Sequence, residues 1–552
     1  MPIQSTLPGD GFDYVIIGAG SAGCVLAARL TEDPGTRVCL VEAGPRDRSL
    51  FIHMPAALTM PIESKVWNWQ YVTGPEPHLN GRTLGQARGR GLGGSSSING
   101  MVWVRGHPAD YDAWAAEGLQ GWSFADCLPY FRKMESYEGG ADPNRGGDGP
   151  LKISRSRAAH PFYEAFLSAG EAYGLSQTPD YNSHDFEGVH VTQATIHDGR
   201  RQSAAVAYLH PAAGRPNLTV LTGWRCDRLL LEGGRATGVA LRRGTRRGEI
   251  RAGREVILCA GAIGSPHLLL LSGIGPAEHL RASGVKVVHD LPGVGENLQD
   301  HFVASLTFRA EGKRSIASDL SLWNRPRIGL EWLLTRGGLG ATSFFEVGAF
   351  FRSGADAAYA NMQHEFLPFL ADFQAGRVRI GHGYQYFLSQ MRPKSRGWLR
   401  LRGADPDLHP EIVFNYLDDP ADAAEMLDGL AQTRDMARQA PWQALGGTEI
   451  APGADIRDRA AALDWMRRIG NTEHHPVGTC RMGHDAMAVT DGEGLVHGVA
   501  GLRVVDGAIL PLIPTANVNA PIIMVAEKIA DRIRGRVPLP RRDLALPPAP
   551  GA

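Results

Sequence analysis

Apolar runs punctuated by glycine open this chain and give way to helical periodicity. Residues 14–17 form an apolar run rich in β-branched side chains that stops at Gly18. Residues 24–30 are Ala/Leu-rich, the Asp33-Pro34-Gly35 triplet breaks that helix, and residues 37–41 form a second apolar run ending at Glu42. The succession predicts one βαβ unit of a doubly wound parallel sheet. Gly18, Gly20 and Gly23 fall at its strand-to-helix turn in the spacing G-x-G-x-x-G, and Glu42 follows Gly23 by 19 positions. In that context the first glycine permits the tight turn, the second lets backbone approach a pyrophosphate, and the third lets helix and strand pack closely. The N–H groups that open the helix, at Ser21 and Ala22, face the phosphates with the positive end of its dipole. Glu42, with Ala43 beside it, stands where an acid accepts hydrogen bonds from a ribose. These residues predict a dinucleotide site and fit NAD and FAD equally.

Beyond this unit the pattern predicts helices at 111–135 and 161–174. Residues 217–221, 228–231 and 237–242 alternate like antiparallel strands, 254–258 reads as a further short strand, and residues 285–290 and the turn 291–297 follow. From about Phe302 to about Pro452 the chain turns to aromatics, short strands (398–401, 411–414) and one helix (421–436). A strand at 502–505 and an amphipathic helix at 521–533 return to the first style. Residues 87–100, ARGRGLGGSSSING, carry apolar anchors among their glycines and serines, which suits backbone wrapped closely around a polar ligand. Arg88 and Arg90 add phosphate contact. Far away, the strand ending in Asp506-Gly507 presents polar groups at its carboxyl end, where the ligand crevice of such a sheet lies.

At 552 residues the chain exceeds one ordinary core, so two domains are expected. A formal net charge of −1 gives no reason to expect nucleic acid as a partner. The first residues lack a basic and an apolar region, so no secretory signal is expected. The longest uncharged stretch, 256–277, is interrupted by glycines, two prolines and His267, and reads as a buried strand, turn and helix rather than a transmembrane span. The six cysteines have no C-x-x-C spacing, so no metal is expected and a reducing cytoplasm is the expected compartment, in solution or peripheral to the inner membrane.

Five segments together resemble the glucose–methanol–choline (GMC) family of FAD-dependent oxidoreductases, nearest in look to bacterial choline and primary-alcohol dehydrogenases. They are Gly89-Arg-Gly-Leu-Gly-Gly-Ser-Ser-Ser-Ile-Asn99 with Trp103 and Gly106; Gly261-Ala-Ile-Gly-Ser-Pro266 through Ser272-Gly-Ile-Gly275; Pro292-Gly-Val-Gly-Glu-Asn-Leu-Gln-Asp-His301; His475-Pro-Val-Gly-Thr-Cys-Arg-Met-Gly483; and Asn517-Val-Asn-Ala-Pro521. They span nearly the whole chain in family order. The resemblance implies α/β architecture, α+β overall: a Rossmann-like FAD-binding domain (1–155, 215–310 and 460–540) and a substrate-binding domain on an antiparallel sheet with helices (156–214 and 311–459). Residues 541–552 are expected to be a disordered tail. It implies FAD rather than NAD, with Arg90, Gly94, Ser95, Asn99, Gly100, Met101 and Val102 along the flavin half. Cys226 would lie near the adenine, with Ala260 and Gly261 also on the cofactor. Asp506, Gly507, Asn519, Ala520 and Pro521 would close over the ribityl chain and ring. Some members attach FAD covalently through a histidine just before the signature asparagine; that position is Ile98 here, so the flavin is expected to be non-covalent.

Oxidation of an alcohol by a flavin removes a hydroxyl proton and passes a hydride from carbon to flavin N5. The site therefore needs a base near neutral pKa and a donor for the developing alkoxide. Thr472-Glu473-His474-His475-Pro476 offers two adjacent imidazoles, and the residues alone do not choose between them. The resemblance assigns the base to His475 and the second catalytic position to Asn517. For the substrate, a primary alcohol such as choline, Trp67, Trp69, Trp103, Phe345, Glu346 and His474 are the candidates, with aromatic faces or a carboxylate suited to a quaternary ammonium. Ordinary packing is the competing reading of the tryptophans, and Glu346 resembles an acid that relatives acting on uncharged alcohols also carry. The electron acceptor is expected to be O2 or a quinone or dye. An oxidase of aryl or other alcohols, a hydroxynitrile lyase on the same fold and a non-catalytic nucleotide-binding protein are the rival readings.

Overall fold

A computed structural model describes residues 11–310, 315–372 and 379–545. The apolar run at the start forms the strand Phe12–Ile17, and the helix Ser21–Leu30 begins at once after Gly20. The strand lies between two parallel neighbours, Val38–Glu42 and the carboxyl part of the long strand Arg246–Leu258. Leu502–Val504 pairs parallel to Val256–Leu258, so the far end of the chain completes the same sheet.

One expectation is corrected here. Leu218–Thr222 is not antiparallel: it pairs parallel with Val38–Glu42 at the sheet edge, Leu218 opposite Val38. Its alternation looks identical in either direction; the crossover through the preceding segment sets the direction. The antiparallel part is Arg225–Glu232, Arg235–Arg243 and the amino half of Arg246–Leu258. The helix expected at 111–135 is two, Pro108–Ala116 and Phe124–Met134, separated at Gly118 and Gly121, both at positive φ. In 285–290 only His289–Asp290 is strand. The uncharged stretch from Val256 runs as strand, turn and the helix Gly261–Leu271.

The second sheet is antiparallel, in the order Gly447–Ala451, Phe302–Ala310, Tyr384–Gln390, Met362–Leu367, Val347–Phe351, Gly188–Val191. Asn471–Thr472 also pairs with Phe302–Ala310. Phe302–Ala310, grouped above with the nucleotide-binding segments, is thus a strand of this sheet. Helices Pro161–Tyr173 and Pro420–Ala437 pack on its far side through Phe166, His364 and Met426.

The tail is not free at its start: the Arg542 N–H donates to Ala125 O (2.9 Å) and the Ala545 N–H to Asn144 Oδ1 (2.8 Å). Residues 546–552, like 1–10, lie outside the described residues. Among the described residues no helix is long and apolar enough to cross a membrane, and no cluster of side chains could hold a metal ion. All six cysteines are buried and unpaired.

Candidate active site

A cavity of about 890 Å³ runs from the first glycine turn to the face of the second sheet. Gly18, Gly20, Ser21, Ala22, Glu42 and Ala43 line one end, with Trp224, Cys226, Ala260 and Gly261 nearby. Gly94, Ser95, Asn99, Gly100, Met101 and Val102 continue along it, and Asp506, Gly507 and Asn519 enter from the last third of the chain. The sequence motifs, hundreds of residues apart, therefore converge.

The nucleotide end has the chemistry a dinucleotide needs. Gly20 supplies no side chain to cap the helix Ser21–Leu30, so its first N–H groups remain for a ligand. Gly94, at φ +52°, abuts Gly20 so closely that a Cβ there would lie 2.6 Å from the Gly20 Cα. Gly23 does not line the cavity: a Cβ on it would meet Gly18 O at 1.9 Å, which is the helix–strand packing role. The buried Glu42 accepts from the Ala19 N–H (2.9 Å) and the Gly44 N–H (2.7 Å), leaving acceptor capacity for a ribose hydroxyl. Asp506 ties two helix starts together, accepting from the Gly261 N–H (2.8 Å), Ser265 Oγ (2.6 Å) and the Ala508 N–H (2.8 Å). These residues fit FAD.

Other expected contacts fall elsewhere. Arg90 places its guanidinium 5.3 Å over the Trp69 ring and does not line the cavity; Trp69 does. Ala520 and Pro521 are buried in the helix Asn519–Ile533 behind the lining residue Asn519. Trp103 is wholly buried in the core, and Trp67 also lies off the cavity wall. Glu346 is committed to a turn, accepting from Thr342 Oγ1 (2.5 Å) and the Ala158 N–H (2.7 Å). Of the substrate candidates, Phe345, Trp69 and His474 line the cavity.

At the other end stand His474, His475 and Asn517. Adjacent residues in an extended chain point apart, but His474 sits at φ +63°, and this twist lets both imidazoles reach the cavity. His474 Nδ1 meets Gln86 Oε1 at 2.9 Å. The His475 N–H donates to Asp300 Oδ1 (2.6 Å), and Asp300, buried, also accepts from Tyr416 (2.6 Å), Thr472 and Gln86 (3.2 Å).

The hydrogen bonds set the tautomer of His475. His301 Nε2 lies 3.1 Å from Met391 O, which can only accept, so His301 carries its proton on Nε2. Its Nδ1, 3.0 Å from His475 Nδ1, is then the acceptor and His475 Nδ1 the donor. His475 Nε2 is left with a lone pair, 3.4 Å from Asn517 Nδ2. Removal from bulk water holds the His475 imidazole well below the usual histidine range, and His301, Arg88 and His474 push it the same way. Asn517 is oriented by two partners: its Oδ1 accepts from Gln363 Nε2 (3.3 Å) and its Nδ2 donates to Glu365 Oε1 (3.0 Å).

Val303, Ser305, Glu365 and Phe387, at alternate positions of three neighbouring strands, form the opposite wall. Sequence reasoning missed His301, Gln363, Glu365 and Glu473 as site residues. The alternation of polar Gln363 and Glu365 with core-facing His364 and Phe366 was the available signal.

Residues 12–303 and 393–526 match the two models that describe GMC oxidoreductases. An oxygen-dependent choline dehydrogenase of Burkholderia vietnamiensis (strain G4) is 46% identical over 546 residues, covering 98% of this chain and 96% of the relative. Pyridoxine 4-oxidase from Mesorbium loti superposes with a TM-score of 0.86 at 31% identity, covering 96% of this chain and 100% of its own. The formate oxidase of Aspergillus oryzae RIB40 does so with a TM-score of 0.88 at 26% identity, over 96% and 99%. With both halves matched and the fold shared end to end, this chain belongs to the GMC oxidoreductase family and is an FAD-dependent alcohol oxidoreductase.

Proposed function

We propose that the enzyme oxidises a primary alcohol to its aldehyde, with His475 as the base and Asn517 as the donor to the reacting oxygen. The observation that carries this is the pairing of an unprotonated His475 Nε2 with Asn517 Nδ2 at 3.4 Å on the cavity wall. A hydroxyl between them gives its proton to Nε2, while one amide N–H stays on Glu365 and the other turns to the oxygen. Bound FAD supplies the acceptor for the hydride that leaves carbon. The positive charge that forms on His475 is accommodated through Nδ1–H, held by His301, and by the buried Asp300 beneath the backbone N–H.

The relatives named as oxygen-dependent choline dehydrogenases support a choline-like alcohol and dioxygen as the electron acceptor. Anaerobic mixing of the holoenzyme with primary alcohols should bleach the flavin, and admitting air should restore its colour. A flavin that no alcohol bleaches while cyanohydrins are cleaved would instead indicate a lyase.

A further inference from the structure

The base and its amide partner have acidic company whose acceptor capacity exceeds what orienting Asn517 requires. Glu365 stands on the strand Met362–Leu367 beside Asn517, and Glu473 lies two residues before His475. Both line the cavity. Glu365 Oε1 is taken by Asn517 and Glu473 Oε1 by Ser389; among the described residues the second oxygen of each has no donor, and neither carboxyl has an ion-pair partner.

Two carboxyls in one cavity without a counter-ion are costly unless a cation arrives or a proton is kept. The pair answers by holding protons: withdrawal from water raises both, and the Glu365 carboxylate further opposes ionisation of Glu473. Arg88, a cation that also lines the cavity, pairs with neither acid: its guanidinium bonds Ala87 O and His474 O. Phe387, the cross-strand neighbour of Glu365, and Phe345 and Trp69 add apolar lining to the same cavity.

We propose that Glu365 and Glu473 are the recognition site for the ammonium group of a protonated amino alcohol. This rests on the reading of His475 and Asn517 given above and adds the substrate class. Two open carboxyl oxygens call for N–H donors. A primary ammonium carries three, whereas a quaternary ammonium carries none and is served better by aromatic faces. Because Glu365 touches the amide that receives the hydroxyl oxygen, the ammonium and the reacting hydroxyl belong on a short chain.

The test uses wild-type holoenzyme, mixed anaerobically at pH 8 with 2-aminoethanol, 3-amino-1-propanol, the neutral isosteres 1-propanol and 1-butanol, 1,3-propanediol, and choline. Second-order flavin reduction by the better amino alcohol should exceed that by its neutral isostere by about 100-fold, the scale of a buried charge-assisted pair, and should also exceed that by choline and the diol. Propylammonium, which lacks the hydroxyl, should bind by calorimetry and release protons to the buffer. In Glu473→Gln the ratio between amino alcohol and isostere should collapse by at least about ten-fold. Equal rates for amino alcohol and isostere, or a faster reaction with choline or the diol, overturn the proposal while leaving alcohol oxidation standing. Failure of every alcohol to reduce the flavin overturns the reading beneath it, and this proposal with it.

Discussion

The imidazoles of His301 and His475 meet through like atoms, Nδ1 to Nδ1 at 3.0 Å, so the proton position on one ring dictates that on the other. The Met391 carbonyl, at the far end of His301, is what fixes the pair. Three residues in line thereby aim a lone pair at the cavity.

His301→Leu should remove the acceptor for His475 Nδ1–H and free the ring to rotate. Leaving such a buried donor unpaired costs about 1–3 kcal/mol, or roughly 5- to 150-fold in rate. Anaerobic stopped-flow should show flavin reduction slowed by that amount with FAD content intact. His475→Ala should lose more, about 10²- to 10⁴-fold. A His301→Leu enzyme at wild-type speed would contradict the tautomer assignment.

The pH dependence follows from the lowered pKa of His475. A base is competent when unprotonated, so activity is lost as pH falls through its pKa. Because withdrawal from water, with help from His301, Arg88 and His474, sets that pKa below the ordinary value, kcat/KM for a neutral alcohol should stay level as pH drops through about 6.5 and decline only below it. A limb centred above neutrality would count against His475.

Stability should have the opposite slope around the acid pair. Glu365 and Glu473 have folded pKa values above their unfolded ones. Their contribution is complete below the ordinary carboxylate range and is lost as pH rises through the raised values. Asp300 and Glu365 oppose ionisation of Glu473, and Ser389 favours it. Glu473→Gln should therefore raise Tm relative to wild type more at pH 9 than at pH 5, as scanning calorimetry would register.

Flavin retention depends on close backbone approach at the glycine turn. Gly94→Ala would set a Cβ 2.6 Å from Gly20 Cα at φ +52°, a conformation that costs a non-glycine residue about 1–3 kcal/mol. The variant should purify with reduced FAD occupancy, read from the 450-nm to 280-nm absorbance ratio. Since Ile98 lines the cavity where some relatives carry a linking histidine, acid precipitation of wild type should leave the flavin in the supernatant.

The βαβ unit was legible because its signals are local: an apolar run, glycines at fixed spacing, a helix and a second run within a few dozen residues. The direction of Leu218–Thr222 was not, since pairing is a tertiary matter and alternation carries no sense of direction. His475 and Asn517 were legible only through the family motifs around them; spacing alone left His474 level with His475, because nothing local announces a left-handed φ at a histidine. Glu346 drew attention as an acid among aromatics, yet its oxygens close a turn, whereas Glu365, in an unremarked strand, reaches the cavity. Chemical type suggests candidates; only the strand's phase decides which face they occupy.

That phase has a wider consequence. Val303, Ser305 and Phe387 hang from a ladder whose hydrogen bonds are all main-chain, so each can be exchanged without disturbing the sheet that carries it or the Glu365 carboxyl that holds Asn517. His475 follows a strand stitched to the edge of that ladder and keeps its distance whatever the wall is made of. Selection can thus repaint the wall for a new alcohol while the machinery behind it stays still, and a laboratory library confined to those three positions would explore the same freedom.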